Sequence, residues 1–286
     1  MEPIFITDPD DTRLADYVNL RDPDFRTGLE GDQFFITEGA TAISRLVTAR
    51  FEIRSILLIP RQYERLRPIL GDVRYPVYVA ERPVLFKVAG FNIHRGAVAA
   101  ANRGTPLQLS TVLSSSRTVA ILEGLNDHEN LGAIARSARA LGVDALLLDP
   151  QCADPFYRRC VRVSMGEILH LPTVRLARWP DDLALVEAAG FRLVALTPNP
   201  AATPVNQLQR TKDDRVALLL GAEGPGLSEA TLARTRSVRI PINPDVDSLN
   251  VGHAAAVAFA HLGILPSQPN VATTATNCAI SSSVLK

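Results

Sequence analysis

The sequence predicts an α/β protein in two unequal parts: a smaller N-terminal α/β unit and a larger C-terminal unit on a parallel sheet. Three observations predict it. Short apolar runs recur along the chain, separated by stretches with apolar residues at helical spacing. In the second half these runs, among them TVAILEGL, ALLLDP and RVALLLG, are apolar nearly throughout, the pattern of strands covered on both faces. Between the halves, RGTPLQLSTVLSSSR (residues 103–117) has few large apolar residues and reads as a connection.

In chain order, residues 1–28 read as a short helical or irregular arm. FFITEG (34–39) reads as a strand, 40–49 as a helix on Ile43, Leu46 and Val47, IRSILLIP as a buried strand ended by Pro60, and 61–69 as a helix. YPVYVA and GAVAAAN continue as strands. After the connection, TVAILEGL is a strand, 131–141 a helix, ALLLDP a strand and 158–168 a helix. LPTVRL is a strand, 181–189 a helix, and FRLVALTP and RVALLLG are strands. A helix at 227–236, the strand VRIPI and a helix at 249–262 complete the pattern. The expected layout is an arm at 1–28, a first domain at 29–104, a linker at 105–117 and a second domain at 118–265. The polar, aperiodic tail at 266–286 is expected to be disordered.

At 286 residues, 47% hydrophobic and 21% charged, the chain can bury a sizeable core and falls outside the disordered class. No apolar run approaches the roughly 18 residues of a membrane span. The acidic start MEPIFITDPDD is unlike a secretory leader. Cys152, Cys160 and Cys278 form no even framework and no C-x-x-C, so a reducing cytoplasm is expected. Thirty basic residues balance thirty acids, but unevenly along the chain. Residues 1–38 hold ten acids against three arginines, and residues 39–110 hold eleven basic residues against four acids. All basic residues but Lys87, Lys212 and Lys286 are arginine, which suits bidentate phosphate contacts, although a GC-rich genome gives the same bias. Arg50, Arg54, Arg61, Arg82, His94 and Arg95 are the candidates in this block for contacts to nucleic acid.

Three stretches of the second half carry residues that a plain α/β core does not require. Asn130 to Arg136 (N-L-G-A-I-A-R) follows a strand and opens a helix; Asn130 can cap it, Gly132 permits close backbone approach, and Arg136 and Arg139 lie one turn apart. Residues 218–227 (L-L-L-G-A-E-G-P-G-L) hang three glycines and Glu223 on a buried strand, where α/β sheets bind nucleotides. They lack the Walker lysine and any G-x-G-x-x-G, so they suit backbone contacts to a neutral base or ribose. Residues 240–251 (I-P-I-N-P-D-V-D-S-L-N-V) lead into an alanine-rich helix, with Ser248 and Asn250 at its expected start. Taken singly, a cap, a tight turn and a second cap would explain each.

Together, their order and spacing resemble the three signature motifs of the SpoU (TrmH-like) branch of the SPOUT RNA methyltransferases: N-x-G-x-x-x-R, a strand into G-x-E-G, and I-P-M-x-x-x-x-x-S-L-N-V. The resemblance covers about residues 117–265; Gly252 and His253 depart from the small and branched residues usual after S-L-N-V. The block through IHRGAVAA is similar to the family's L30e-like substrate-binding domain. The resemblance implies a SPOUT domain with a deep trefoil knot and S-adenosylmethionine as cofactor. It implies an RNA substrate (rRNA or tRNA) and a homodimer with its site at the subunit interface. It assigns the cofactor site to Leu196, Thr197, Gly221, Ala222, Gly224, Ile240, Ile242, Leu249 and Asn250. Catalysis falls to Asn130, Arg136, Glu223, Ser248 and Asn250, and RNA contacts extend to Arg136 and Arg139. The expected activity is 2′-O-methylation of a ribose in structured RNA, with 23S rRNA as target; a tRNA 2′-O-methyltransferase and a non-catalytic RNA-binding member are the alternatives.

On chemical grounds, the reaction needs a barely ionised hydroxyl to attack a sulfonium methyl in line. A guanidinium stays protonated, so Arg136 is expected to clamp the neighbouring phosphate rather than act as base, with that phosphate or Glu223 receiving the proton. A hydrolase built on Asp127, His128 and Ser137 lacks the G-x-S-x-G elbow. His94, His128, His170, His253 and His261 are scattered without H-E-x-x-H, so no metal is expected.

Overall fold

The apolar runs pair into two sheets. A computed structural model describes residues 2–31, 33–71, 74–93, 96–209, 211 and 213–262. The N-terminal unit contains β1 (Ile4–Ile6), α1 (Pro23–Glu30), β2 (Phe34–Glu38), α2 (Ala40–Thr48) and β3 (Ile53–Leu58). It continues with α3 (Pro60–Leu70), β4 (Val77–Ala80), α4 (Arg82–Ala89) and β5 (Ala97–Asn102). Its five strands lie in the order β1-β4-β3-β5-β2, with β1, β4 and β3 parallel and β5 antiparallel to both neighbours. Helix α5 (Leu109–Ser115) leads to the second sheet.

The C-terminal unit runs β6 (Thr118–Glu123), α6 (His128–Ala140), β7 (Ala145–Leu148), α7 (Arg158–Val163), β8 (Thr173–Arg175), α8 (Leu183–Ala188) and β9 (Phe191–Leu196). Then come β10 (Thr203–Pro204), β11 (Arg215–Gly221), α9 (Glu229–Leu232), β12 (Arg236–Arg239) and α10 (Val251–Leu262). All seven strands are parallel, in the order β10-β12-β9-β11-β6-β7-β8. Strand β11, late in the chain, is inserted between β9 and β6, and Gly221 is the register partner of Glu123. The carboxyl ends of β12, β9, β11 and β6 are therefore four consecutive neighbours, which places every loop that follows them at one edge of the sheet.

The N-terminal arm is part of this architecture: β1 pairs with β4, and Leu14, Tyr17 and Leu20 are buried. The Tyr17 hydroxyl bonds Ser55 Oγ at 2.7 Å, and burial pushes its pKa well up. The stretch read as a linker contains α5, whose Val112 and Leu113 enter the core. Helix α4 interrupts what reads as two successive strands. The helix expected at 158–168 ends at Val163, because Met165 and Gly166 turn to φ of 56° and 85°, and a 3-10 turn (Glu167–His170) follows. At that turn the two units meet closely: a Cβ on Gly166 would sit 2.9 Å from the Ala42 backbone in α2. The helix expected at 227–236 shrinks to α9. The tail at 266–286 lies outside the described residues.

One apolar core runs between the sheets, joining Phe35, Ile43, Leu46 and Phe51 to Leu131, Ile134 and Val161. Phe156 closes the junction, its ring 5.3 Å from Phe35 and 5.1 Å from Phe51. Ion pairs flank it: Arg158 with Glu38 at 2.9 Å, and Arg103 with Asp154 and Arg45 with Glu167, each at 2.6 Å. The Glu38 side chain is almost fully buried, so its ion-pair partner Arg158 is needed there. Two further cores cover the outer faces of the sheets.

Candidate active site

Strand β11 ends in a loop that folds back on itself. A Cβ on Gly221 would lie 2.2 Å from the Gly226 carbonyl carbon and 2.3 Å from the Leu227 nitrogen, so only glycine fits. The Gly226 N–H donates to the Ala222 carbonyl at 3.1 Å, and Gly224 and Gly226 adopt φ of 88° and 70°. Beside it, Glu123 at the end of β6 accepts from the Ser228 N–H at 3.3 Å, tying the far side of the loop to the neighbouring strand.

After β6 the chain enters α6. Asp127, not Asn130, is the N-cap: its Oδ1 accepts from the Asn130 N–H at 2.7 Å. Gly132 is required by α7, since a Cβ there would lie 2.8 Å from the Cys160 carbonyl oxygen. The Asn130 side chain is thereby free to face the other loops.

Asn250 joins the three segments. Its Nδ2 donates to Asn130 Oδ1 at 2.9 Å and to Glu223 Oε1 at 2.7 Å. Its Oδ1 accepts from the Gly252 and His253 N–H groups at 3.0 and 3.3 Å, capping α10. Both amide hydrogens and both acceptor positions are used within the protein. Asn250 is thus an organiser of the site, and orienting a substrate directly would require breaking one of these bonds. Gly252 completes the junction of α10 with α6: a Cβ there would meet Ala133 Cβ at 3.2 Å.

A cavity of about 290 Å³ opens between these loops. All nine residues expected to hold a cofactor line it: Leu196, Thr197, Gly221, Ala222, Gly224, Ile240, Ile242, Leu249 and Asn250. Glu223 and Ser248 line it too. Pro198, Leu220, Gly226, Val251 and Ala254 complete the wall and escaped the sequence reading. Gly226 was recoverable as the last glycine of its loop, and Ala254 from lying one helical turn beyond Asn250. Among the described residues, Glu223 is the only one lining it with a formal charge. Arg136 and Arg139 are exposed on α6 outside this wall and make no ion pair among the described residues. Arg136 lies one turn beyond Ala133, the residue against which α10 packs.

The arginines expected to meet RNA divide into two kinds. Arg54 is engaged internally: it pairs with Asp16 at 2.8 Å and lies over the Phe34 ring at 4.6 Å from its centroid. Arg50 is exposed, its guanidinium over the Phe51 ring at 4.6 Å, and partial desolvation there lowers its pKa. Arg61 and Arg82 are exposed in the first turns of α3 and α4. His94 and Arg95 lie outside the described residues.

Rival chemistries find no site. His128 packs on the Tyr157 ring at 4.2 Å, with burial lowering its pKa, and Asp127 serves as a cap. Burial pushes the Cys152 thiol up to about 12 and the Cys160 thiol also well up, so neither is an activated nucleophile. Among the described residues no group of three or more His, Cys, Asp or Glu could hold a metal ion, and no helix is long and apolar enough to cross a membrane.

The same three segments align with known proteins. A model of the SpoU rRNA methylase family matches residues 117–260. The chain is 44% identical over 257 residues to an uncharacterised tRNA/rRNA methyltransferase of Mycobacterium tuberculosis, covering 89% of each chain. It is 32% identical over 168 residues to a 23S rRNA guanosine 2′-O-methyltransferase of Bacillus subtilis, covering 55% of this chain and 65% of that one. Among solved structures it resembles the SpoU methyltransferase AviRb of Streptomyces viridochromogenes in complex with S-adenosylmethionine. The TM-score is 0.73 at 26% identity, over 88% of this chain and 97% of that one.

Proposed function

We propose that this chain, which belongs to the SpoU rRNA methylase family, transfers a methyl group from S-adenosylmethionine to a ribose 2′-hydroxyl of 23S rRNA in the cytoplasm. The observation that carries this reading is the Asn250 amide, which draws Asn130, Glu223 and the α10 N-terminus together at the mouth of a nearly neutral cavity.

The wall of that cavity fits the cofactor. Glycine backbone and the side chains of Ile240, Ile242 and Leu249 suit an adenine and a ribose, and the lone carboxylate suits a cation. A Walker-type phosphate cradle would need charges that this wall lacks. S-adenosylmethionine, when bound, supplies an electrophilic sulfonium methyl. The protein's own task is then to hold the hydroxyl, favour loss of its proton and exclude water. Arg136, unpaired and permanently charged, holds the phosphate beside the target ribose and lowers the hydroxyl's pKa. Glu223 keeps its carboxylate in place through Asn250, and its other oxygen, without a partner among the described residues, receives the proton. Ser248, at the cavity mouth, orients the ribose.

The trefoil knot belongs to the same reading, supported by the insertion of β11 between β9 and β6. So does a homodimer: Val246 and Leu249 are 48% and 39% exposed beside the site, where a second copy would cover them. Light scattering should then give about twice 31.0 kDa. The rRNA target is supported by the name of the Bacillus subtilis relative.

The test is transfer of labelled methyl to unmodified 23S rRNA and tRNA transcripts in EDTA, followed by nucleoside analysis. A 2′-O-methylnucleoside in 23S rRNA is expected. Label in tRNA alone would overturn the target, and label on a base would overturn the chemistry.

A further inference from the structure

A second cavity, of about 320 Å³, lies in the N-terminal unit and is lined by Arg61, Gln62, Arg65 and Arg82. Its position follows from the sheet. Strands β3 and β4 are adjacent and parallel, with Leu58 the register partner of Val79, and each runs through one linking residue into a helix. The first turns of α3 and α4 therefore emerge side by side. Neither helix has a side-chain cap, so the Arg61 and Arg82 amides remain available beside the guanidinium groups. Arg61 and Arg65 lie one turn apart on α3, facing Arg82 at the start of α4.

Two observations set this cluster apart from the arginines that hold the fold. Arg26, Arg45, Arg54, Arg103 and Arg158 each pair with a carboxylate, whereas Arg61, Arg65 and Arg82 make no ion pair among the described residues. No carboxylate among the described residues lines the cavity. The wall also holds a buried amide: Gln62 is only 7% exposed, and its Oε1 has no hydrogen-bond partner. A buried acceptor without a donor is costly, and a ligand that brings a donor would relieve it. Three unpaired cations ask for an anion; one unpaired acceptor asks for a hydroxyl or N–H beside it.

We propose that this cavity is a ribose-phosphate subsite for the RNA substrate, in which Arg61, Arg65 and Arg82 hold the backbone phosphate and Gln62 accepts from a ribose 2′-hydroxyl. A DNA backbone offers the phosphate without that donor, so the subsite favours RNA. The proposal rests on the methyltransferase reading for its substrate, and it adds a contact outside the three motifs.

The test uses the full-length chain, with fluorescence anisotropy of a labelled RNA hairpin and of its DNA counterpart in a salt series. Replacing Arg61, Arg65 and Arg82 together with Ala should lower RNA affinity at least about 10-fold and reduce the salt slope by about 1, the share of the one phosphate they hold. Gln62→Leu should narrow the preference for RNA over DNA several-fold while sparing DNA affinity. If Gln62→Leu does not fold, Gln62→Glu, similar in size but negatively charged, must lower RNA affinity instead. Calorimetry of S-adenosylmethionine should be unchanged in every folded variant. Unaltered RNA affinity and slope in the triple variant would overturn the subsite, and an unaltered RNA preference in Gln62→Leu would overturn the ribose contact. Inorganic phosphate binding as tightly as the hairpin would make it a site for a free anion. Failure of the unsubstituted chain to bind S-adenosylmethionine strikes the methyltransferase reading alone, because the RNA titrations judge the subsite separately.

Discussion

The two cavities are built from opposite materials. The one at the carboxyl edge of the C-terminal sheet is walled by glycine backbone and aliphatic side chains, with Glu223 the single charge among the described residues. The one in the N-terminal unit is walled by three guanidinium groups and a buried amide. A neutral wall selects by shape and hydrogen bonding, whereas a basic one binds by charge, with an affinity that falls as salt rises. On the proposed reading, reaction and grip on the polyanion are separated between the two units. The Phe35, Phe51 and Phe156 rings and three ion pairs hold those units in one arrangement.

The sharpest break in that comparison comes from Gly221→Ala. The added methyl collides with the Gly226–Leu227 peptide where the loop folds back, so the loop must open and the neutral cavity loses its wall. Cofactor binding by calorimetry should be lost, while RNA binding by the basic cavity persists. Retained cofactor binding would show that the loop is not the wall.

Arg136→Ala comes next. Turnover should fall about 10²-fold or more, the scale of losing one stabiliser of developing charge. Cofactor affinity should be unchanged, and Arg136→Lys should restore only part of the rate, since an ammonium cannot make the same two-pronged contact. Near-normal turnover with weakened RNA binding would move Arg136 to the gripping side of the comparison and leave catalysis to Glu223 and Asn250.

The junction itself is tested by Phe156→Ala, which removes the ring shared between the units. A loss of about 2–4 kcal/mol is expected, since the ring is only partly buried, read as a lower midpoint in urea. Two separate transitions would mean that the units fold independently.

The smallest effect is expected for Arg54→Ala. Its exposed pair with Asp16 should cost less than about 1 kcal/mol, and neither RNA affinity nor salt slope should move, in contrast to Arg61, Arg65 and Arg82. A drop in slope would return Arg54 to the RNA surface.

Much of the candidate site was legible in the sequence because its residues obey local rules. A glycine-rich turn after a buried strand, and asparagines at helix starts, stand out within a few residues of chain. The α/β alternation was legible for the same reason, through the period of the apolar residues. What escaped depended on neighbours far away in sequence. Strand β1 is three residues long and is a strand only because β4 offers an edge. Helix α5, short and rich in Ser and Thr, is fixed by the burial of Val112 and Leu113. The break after α7 falls where the chain meets Ala42, more than a hundred residues earlier. Arg54 and Arg61 look alike in sequence, and only the presence of Asp16 beside the first separates them.

By itself, then, the sequence determined the fold class, the three motifs and the kinds of atom that line the cavity between them, because periodicity, glycine and caps act over one or two turns of chain. The tertiary structure decided that the Asn250 amide binds Asn130 and Glu223. It also decided which arginines hold the protein together and which face outward unpaired. Those outcomes depend on distances between residues 27 to 120 positions apart, set by the insertion of β11 and the meeting of the two sheets. No local pattern encodes such distances.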